Sequence, residues 1–204
     1  MSTTEDAAPA VAPAVAAPAI ADPAPLGLAA FALTTFLLSA VNAGWAKNTS
    51  GADWLGYAIA YGGLCQLLAG MWEFKNKNVF GATAFSTYGG FWIGLGLFSL
   101  LVHGPAGAKD VGWILLAFAI FNTYMLLFAT QLNIAVFLVF LTLELTEIFL
   151  FWGILGGNST LVKVGGVVGI ITALVAWYTS AAGVINGMKG GRQVLPVGGP
   201  LFNM

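Results

Sequence analysis

Six long apolar runs, parted by short polar breaks, dominate the chain from about residue 26 onward. They cover residues 26–45, 54–74, 79–102, 111–130, 134–155 and 161–188, each near the ~20 residues a helix needs to cross the hydrocarbon core of a bilayer. Within each run the apolar residues are continuous and do not alternate with polar ones, which is the pattern of membrane helices and not of barrel strands. The reading is therefore an all-α integral membrane protein with six transmembrane helices. Polar breaks at 47–53, 75–78, 103–110, 131–133 and 156–163 are expected as its loops and turns, the last overlapping the start of the sixth run.

Residues 1–21 are rich in Ala and Pro, and Pro9, Pro13 and Pro18 interrupt any continuous helix there. With nothing large to bury, this stretch reads as a disordered tail of polyproline II character. Its Glu5 and Asp6 are the wrong charge for the start of a secretory signal. Residues 22–190 then form one six-helix membrane domain, and 191–204 a short C-terminal tail. An even number of spans places both ends on one membrane face. Lys75, Lys77, Lys189 and Arg192 share that face, against Lys47, Lys109 and Lys163 on the other, a slight lean toward cytoplasmic termini.

Composition narrows the function. Charged residues make up 7% and hydrophobic ones 59%, where a soluble domain carries about 25% charged residues. The seven Lys and Arg are scattered singly, so no basic patch exists to neutralise several phosphates, and nucleic acid is not an expected partner. Cys65 is the only cysteine and His103 the only histidine. That excludes an intrachain disulfide and a Cys-based zinc cluster, and no metal or cofactor is expected. A membrane enzyme would need a nucleophile, base or metal cluster within the spans, and this chain supplies none by composition.

What the spans do contain is mild hydrogen-bonding chemistry. Gly62, Gln66, Ala69 or Gly70, and Glu73 fall on one helical face of the second span. That face suits either close helix packing through small residues or, through Gln66, the lining of a pore. Thr83, Ser86 or Thr87, and Gly90 form a hydroxyl and glycine stripe on the third span, and Thr34 adds a hydroxyl on the first. Such groups replace water around an anion without adding charge, which fits a small, weakly held monocarboxylate or neutral acid. Glu144 and Glu147 stand one turn apart in the fifth span. An ionisable group at membrane depth is costly and marks a functional candidate. The pair is read either as a site of proton coupling or as neutral acids bonded between helices or subunits.

The first span opens on Asp22-Pro23-Ala24-Pro25-Leu26-Gly27-Leu28. Proline is tolerated in a helix's first turn, where the N–H groups have no intrahelical partner, and Asp22 is placed to cap them. This stretch resembles the N-P-A-P-L-G-L signature of the acetate uptake transporter family, with Asp22 at the usual Asn. Two further stretches resemble it as well: Tyr61-Gly62-Gly63-x-x-Gln66-x-x-Ala69-Gly70-x-x-Glu73, and Gly81-x-Thr83-Ala84-Phe85-x-x-Tyr88-Gly89-x-Phe91-Trp92. That family includes bacterial succinate-acetate permeases and fungal acetate and ammonia export proteins.

The resemblance implies six helices around a pore in each subunit, a homo-hexamer in the plasma (inner) membrane, and cytoplasmic termini. It implies transport of acetate, with succinate as a second solute, either with a proton or as the anion. It also implies a hydrophobic gate, whose positions match Phe31, Tyr88 and, in the fifth span, Leu143 or its neighbour Leu145. The competing reading within transport is a channel for a small neutral solute such as urea or ammonia.

Overall fold

The structure, a computed structural model, describes residues 20–47 and 49–202. The Ala- and Pro-rich tail expected over 1–21 lies, up to residue 19, outside the described residues. The helices are α1 (Ala24–Asn42), α2 (Leu55–Ile59), α3 (Gln66–Lys75), α4 (Val79–Leu101), α5 (Pro105–Ala129), α6 (Ile134–Leu155) and α7 (Ser159–Met188), with a π-helical segment, Ala60–Cys65, between α2 and α3. Five of these helices are individually long and apolar enough to cross a membrane. The second span is α2, the π segment and α3 in sequence, and the backbone stays right-handed helical through both junctions. Six spans are thus formed among the described residues, as the apolar runs imply.

Two boundaries differ from the sequence reading. Residues 103–110, expected as a loop, are mostly the first turns of α5. Gly104 takes φ +98°, a left-handed conformation that glycine adopts without strain, and reverses the chain directly into Pro105 at the helix start. Lys109 and Asp110 are exposed polar residues on those turns, not a connection. The first helix begins at Ala24, with Pro23 in the capping position. Asp22 sits one residue further out and still accepts from the Ala24 N–H at 2.9 Å.

The spans close into a ring in chain order, with α7 returning to α1. Small residues set how closely neighbours approach. A methyl group at Gly166 would collide with the backbone of Ala43, and one at Gly169 with Ser39 Oγ, so α7 lies tight against α1. Between the second span and α4, a Cβ at Gly89 would stand 2.7 Å from the Leu67 backbone nitrogen and 2.9 Å from the Gly63 carbonyl oxygen. The α4–α5 seam is different. Few backbone positions approach there, and rings fill the gap: Phe91 meets Phe118 at 4.6 Å between centroids, and Tyr88 meets Phe121 at 5.6 Å.

After α7 the chain turns back and docks. The Asn186 side chain accepts from Val194 N–H (2.7 Å) and Leu195 N–H (3.0 Å) and donates to the Leu195 carbonyl (2.9 Å). Further on, Ala135 N–H donates to the Val197 carbonyl (2.9 Å), and Leu201 N–H to that of Thr130 (2.8 Å). The segment therefore straps the α5–α6 turn to the end of α7. It shares the end of the bundle where α1 begins, since Pro25 packs on Gly183 of α7.

The adjacent glycines of α4 allow a direct test of the packing. Gly89→Ala forces two backbones apart and is expected to cost about 1–3 kcal/mol. Gly90→Ala meets open space and gains helix propensity, up to about 1 kcal/mol. Thermal melting of the purified protein in detergent is expected to show a lowered midpoint for the first variant and an unchanged or raised one for the second.

Candidate solute passage

A line of cavities runs through the ring. At the end where α1 begins, an open vestibule of about 280 Å³ is edged by Asp22, Asn76, Asn78 and Asn133. It leads, across Leu28, Ala84, Phe85 and Phe140, to a proximal cavity of about 30 Å³ that contains Gln66. Further along lies a distal chamber of about 40 Å³, with Thr35, Ser39, Asn42, Trp92, Thr146 and Glu147 in its wall. Just past Asn42 in the chain, Ala43, Gly44, Trp45, Lys47 and Lys163 border an open basic depression at the other end of the bundle.

Three side chains line both inner cavities: Phe31, Tyr88 and Leu143. They are the wall that separates the two. Phe31 comes from α1, Tyr88 from α4 and Leu143 from α6, so three spans converge on one point. The two rings meet edge to face with centroids 5.9 Å apart. Leu143 is 7% exposed and lines both cavities, whereas its neighbour Leu145 is 41% exposed and lines neither.

Tyr88 is fixed from behind. Its hydroxyl donates to Asn122 Oδ1 at 3.1 Å and lies 3.3 Å from Glu147 Oε1. The Asn122 amide spends its hydrogens on the Phe140 carbonyl (3.0 Å) and Glu144 Oε2 (2.7 Å), while Glu144 Oε1 accepts from Thr123 at 2.9 Å. The two glutamates thus differ in kind. Glu144 is half-buried with both oxygens bonded to α5, and Glu147 is buried in the distal chamber with Oε2 lacking any partner.

The other expected site residues separate by position. Gln66 is buried in the wall of the proximal cavity with its Oε1 unpartnered. Thr34 faces the second span, where it packs on Gly62 and donates to the Ala30 carbonyl at 3.1 Å. Ser86 packs on Gly70, and Thr83 and Thr87 are half-buried and line none of the cavities described above. Among the signature residues, Pro25 offers its carbonyl to Ser180 of α7 (2.6 Å) and Gly27 makes room for Phe85 of α4. Pro23 and Asp22 form the capping turn ahead of them, with Asp22 also at the vestibule rim. The motif seats the start of α1 between its neighbours, and that seating carries Phe31 to the wall between the two inner cavities.

Sequence reasoning did not assign Ser39 or Trp92 to the passage. The signal was present: Ser39 lies one helical turn beyond Thr35, and Trp92 one turn beyond Tyr88.

Residues 4–190 match the GPR1/FUN34/yaaH family. Acetate permease A of Emericella nidulans is 40% identical over 169 residues, covering 74% of this chain and 57% of that protein. The succinate-acetate/proton symporter SatP of Escherichia coli is 36% identical over 152 residues, covering 71% of this chain and 78% of the other. The chain spans little more than half the length of the fungal relative. The solved structure of the bacterial acetate channel SatP superposes with a TM-score of 0.81 at 33% identity, covering 88% of this chain and 99% of that one. By the extent of these matches, the chain belongs to the GPR1/FUN34/yaaH family.

Proposed function

We propose that this protein moves small monocarboxylates, chiefly acetate and secondarily succinate, across the plasma membrane through the cavities described above. Phe31, Tyr88 and Leu143 act as its hydrophobic constriction. The observation that carries this reading is that these three side chains, and no others, border both inner cavities. The names of the related permease, symporter and channel support the choice of solute. A passage with narrow apolar walls and single hydroxyl, amide and indole groups strips water from a solute while offering few bonds in return, which favours small solutes of low charge.

In this reading Lys47 and Lys163, at the far mouth, raise the local concentration of carboxylate anions. The protein works as a homo-hexamer with both termini cytoplasmic. Gln66 contacts solute on the vestibule side of the constriction. Thr34 and Ser86 hold helices together, and Thr83 and Thr87 stand outside the passage. Glu144 positions Asn122 and through it Tyr88, which leaves Glu147 as the glutamate that meets the solute.

Uptake of radiolabelled acetate into proteoliposomes tests this directly. Uptake is expected to be inhibited by formate and by succinate, and unaffected by urea. Inhibition by urea and indifference to carboxylates would instead identify a channel for neutral solutes. Phe31→Ala is expected to widen the constriction and raise butyrate flux relative to acetate by about tenfold, the scale on which one or two methylenes are discriminated in an apolar site. An unchanged ratio in that variant, and likewise in Tyr88→Ala, removes the constriction from these residues.

A further inference from the structure

The distal chamber holds three buried polar atoms without any partner: Thr35 Oγ1, Trp92 Nε1 and Glu147 Oε2. Their residues are 5%, 3% and 3% exposed, so bulk water does not reach them freely. A buried polar group left unbonded is costly, and three around one chamber describe a ligand by its complement. Thr35 and Trp92 are donors, and Glu147 is a carboxyl group. The chamber, about 40 Å³, accommodates roughly three or four water-sized groups, the dimensions of a two-carbon acid.

Glu147 is also short of protons. The single proton of the Tyr88 hydroxyl is directed at Asn122 Oδ1 as well as at Glu147 Oε1, because both amide hydrogens of Asn122 are committed elsewhere. The titratable groups that face Glu147 are Tyr88 from α4 and Glu144 from its own helix. α1 presents Thr35, Ser39 and Asn42, α5 presents Leu115 and Asn122, and α7 reaches it through Thr172 on Thr146, none of which titrates. Among the described residues no cation stands against this carboxyl, so a carboxylate solute entering the chamber meets it with no fixed charge in between.

We propose that Thr35, Trp92 and Glu147 form a solute subsite on the far side of the constriction, which takes a monocarboxylate together with one proton as a hydrogen-bonded acid–carboxylate pair. This rests on the reading of the protein as a carboxylate transporter and assigns the proton-sharing partner within it. The balance is simple. Acetic acid donates its O–H to ionised Glu147, or protonated Glu147 donates to acetate; both describe the same atoms and one shared proton. The Thr35 hydroxyl and Trp92 indole N–H donate to the solute oxygens, and the methyl group rests on the apolar wall. Two bare carboxylates in the same low-dielectric chamber would repel, so the site fills only as the proton-sharing pair.

The test is protein-dependent acetate uptake into proteoliposomes, with uptake by protein-free vesicles subtracted, at fixed total acetate between about pH 5 and pH 7.5. In the wild-type protein uptake is expected to fall about tenfold per pH unit. In Glu147→Gln, which keeps a polar group but cannot share the proton, the slope is expected to flatten to less than about twofold per unit, and likewise in Glu147→Leu. A pH-sensitive dye inside the vesicles is expected to report one proton entering per acetate in the wild type and a smaller yield in both variants. A wild-type slope retained in both variants, or a flat wild-type profile, overturns the subsite. An absence of protein-dependent acetate uptake in the wild type fails the transport reading itself and is distinguishable from either. If neither variant assembles, a flat wild-type profile or a missing proton yield still overturns the subsite.

Discussion

Helices in a bilayer gain nothing from hiding apolar side chains from one another, because lipid is as apolar as leucine, so close contact must come from shape. That constraint shapes the whole molecule. Gly166 and Gly169 bring α7 onto α1, and Gly62, Gly63, Gly70 and Gly89 bring the second span onto its neighbours. Once these contacts are set, Phe31 and Tyr88 have one place to go, and Leu143 follows from the closure of the ring by α6 and α7. The α4–α5 seam has no such close approach, and its aromatic filling is the exception that the rest of the ring accommodates.

The polar chemistry is sparse and is concentrated at that seam. Interhelical hydrogen bonds in membranes average about 0.6 kcal/mol and reach ~1.7. The bonds from Tyr88 to Asn122 and from Asn122 to Glu144 are thus too weak to hold the fold, yet they fix an orientation. They join α4, α5 and α6 at the level of the wall between the two inner cavities. Three of the buried atoms left without a partner, on Thr35, Trp92 and Glu147, belong to the wall of the neighbouring chamber, and Gln66 carries another in the proximal cavity.

Much of this was readable from the chain alone, for reasons that differ between residues. Continuous apolar length identifies spans, whereas Phe31 was singled out only by its place in the stretch that resembles the family signature. Tyr88 was likewise singled out by its place in a stretch that resembles the family, beside Gly89, where the backbone of the second span comes close. The setting of the hydroxyl stripe was not readable: Thr83 and Thr87 share a helical face, but periodicity does not say which neighbour a face meets, and in a membrane helix every face is apolar enough to serve. For the same reason Glu144 and Glu147 looked alike. They are separated by three residues, under a full turn, and that offset alone directs one to the bonds of α5 and the other into the chamber. The 103–110 stretch was misjudged because exposed Lys109 and Asp110 imitate a loop when they belong to a helix end lying outside the hydrocarbon.

Tyr88 is roped by its hydroxyl to a neighbouring helix, whereas Phe31 and Leu143 have no polar atom by which to be held. The wall between the two inner cavities therefore has one tethered side chain and two held by packing alone. Rotation of a side chain within this wall is open to Phe31 and Leu143, whereas Tyr88 is tied at its tip. That bond spans the α4–α5 seam, the one place in the ring where backbones do not hold the neighbours close.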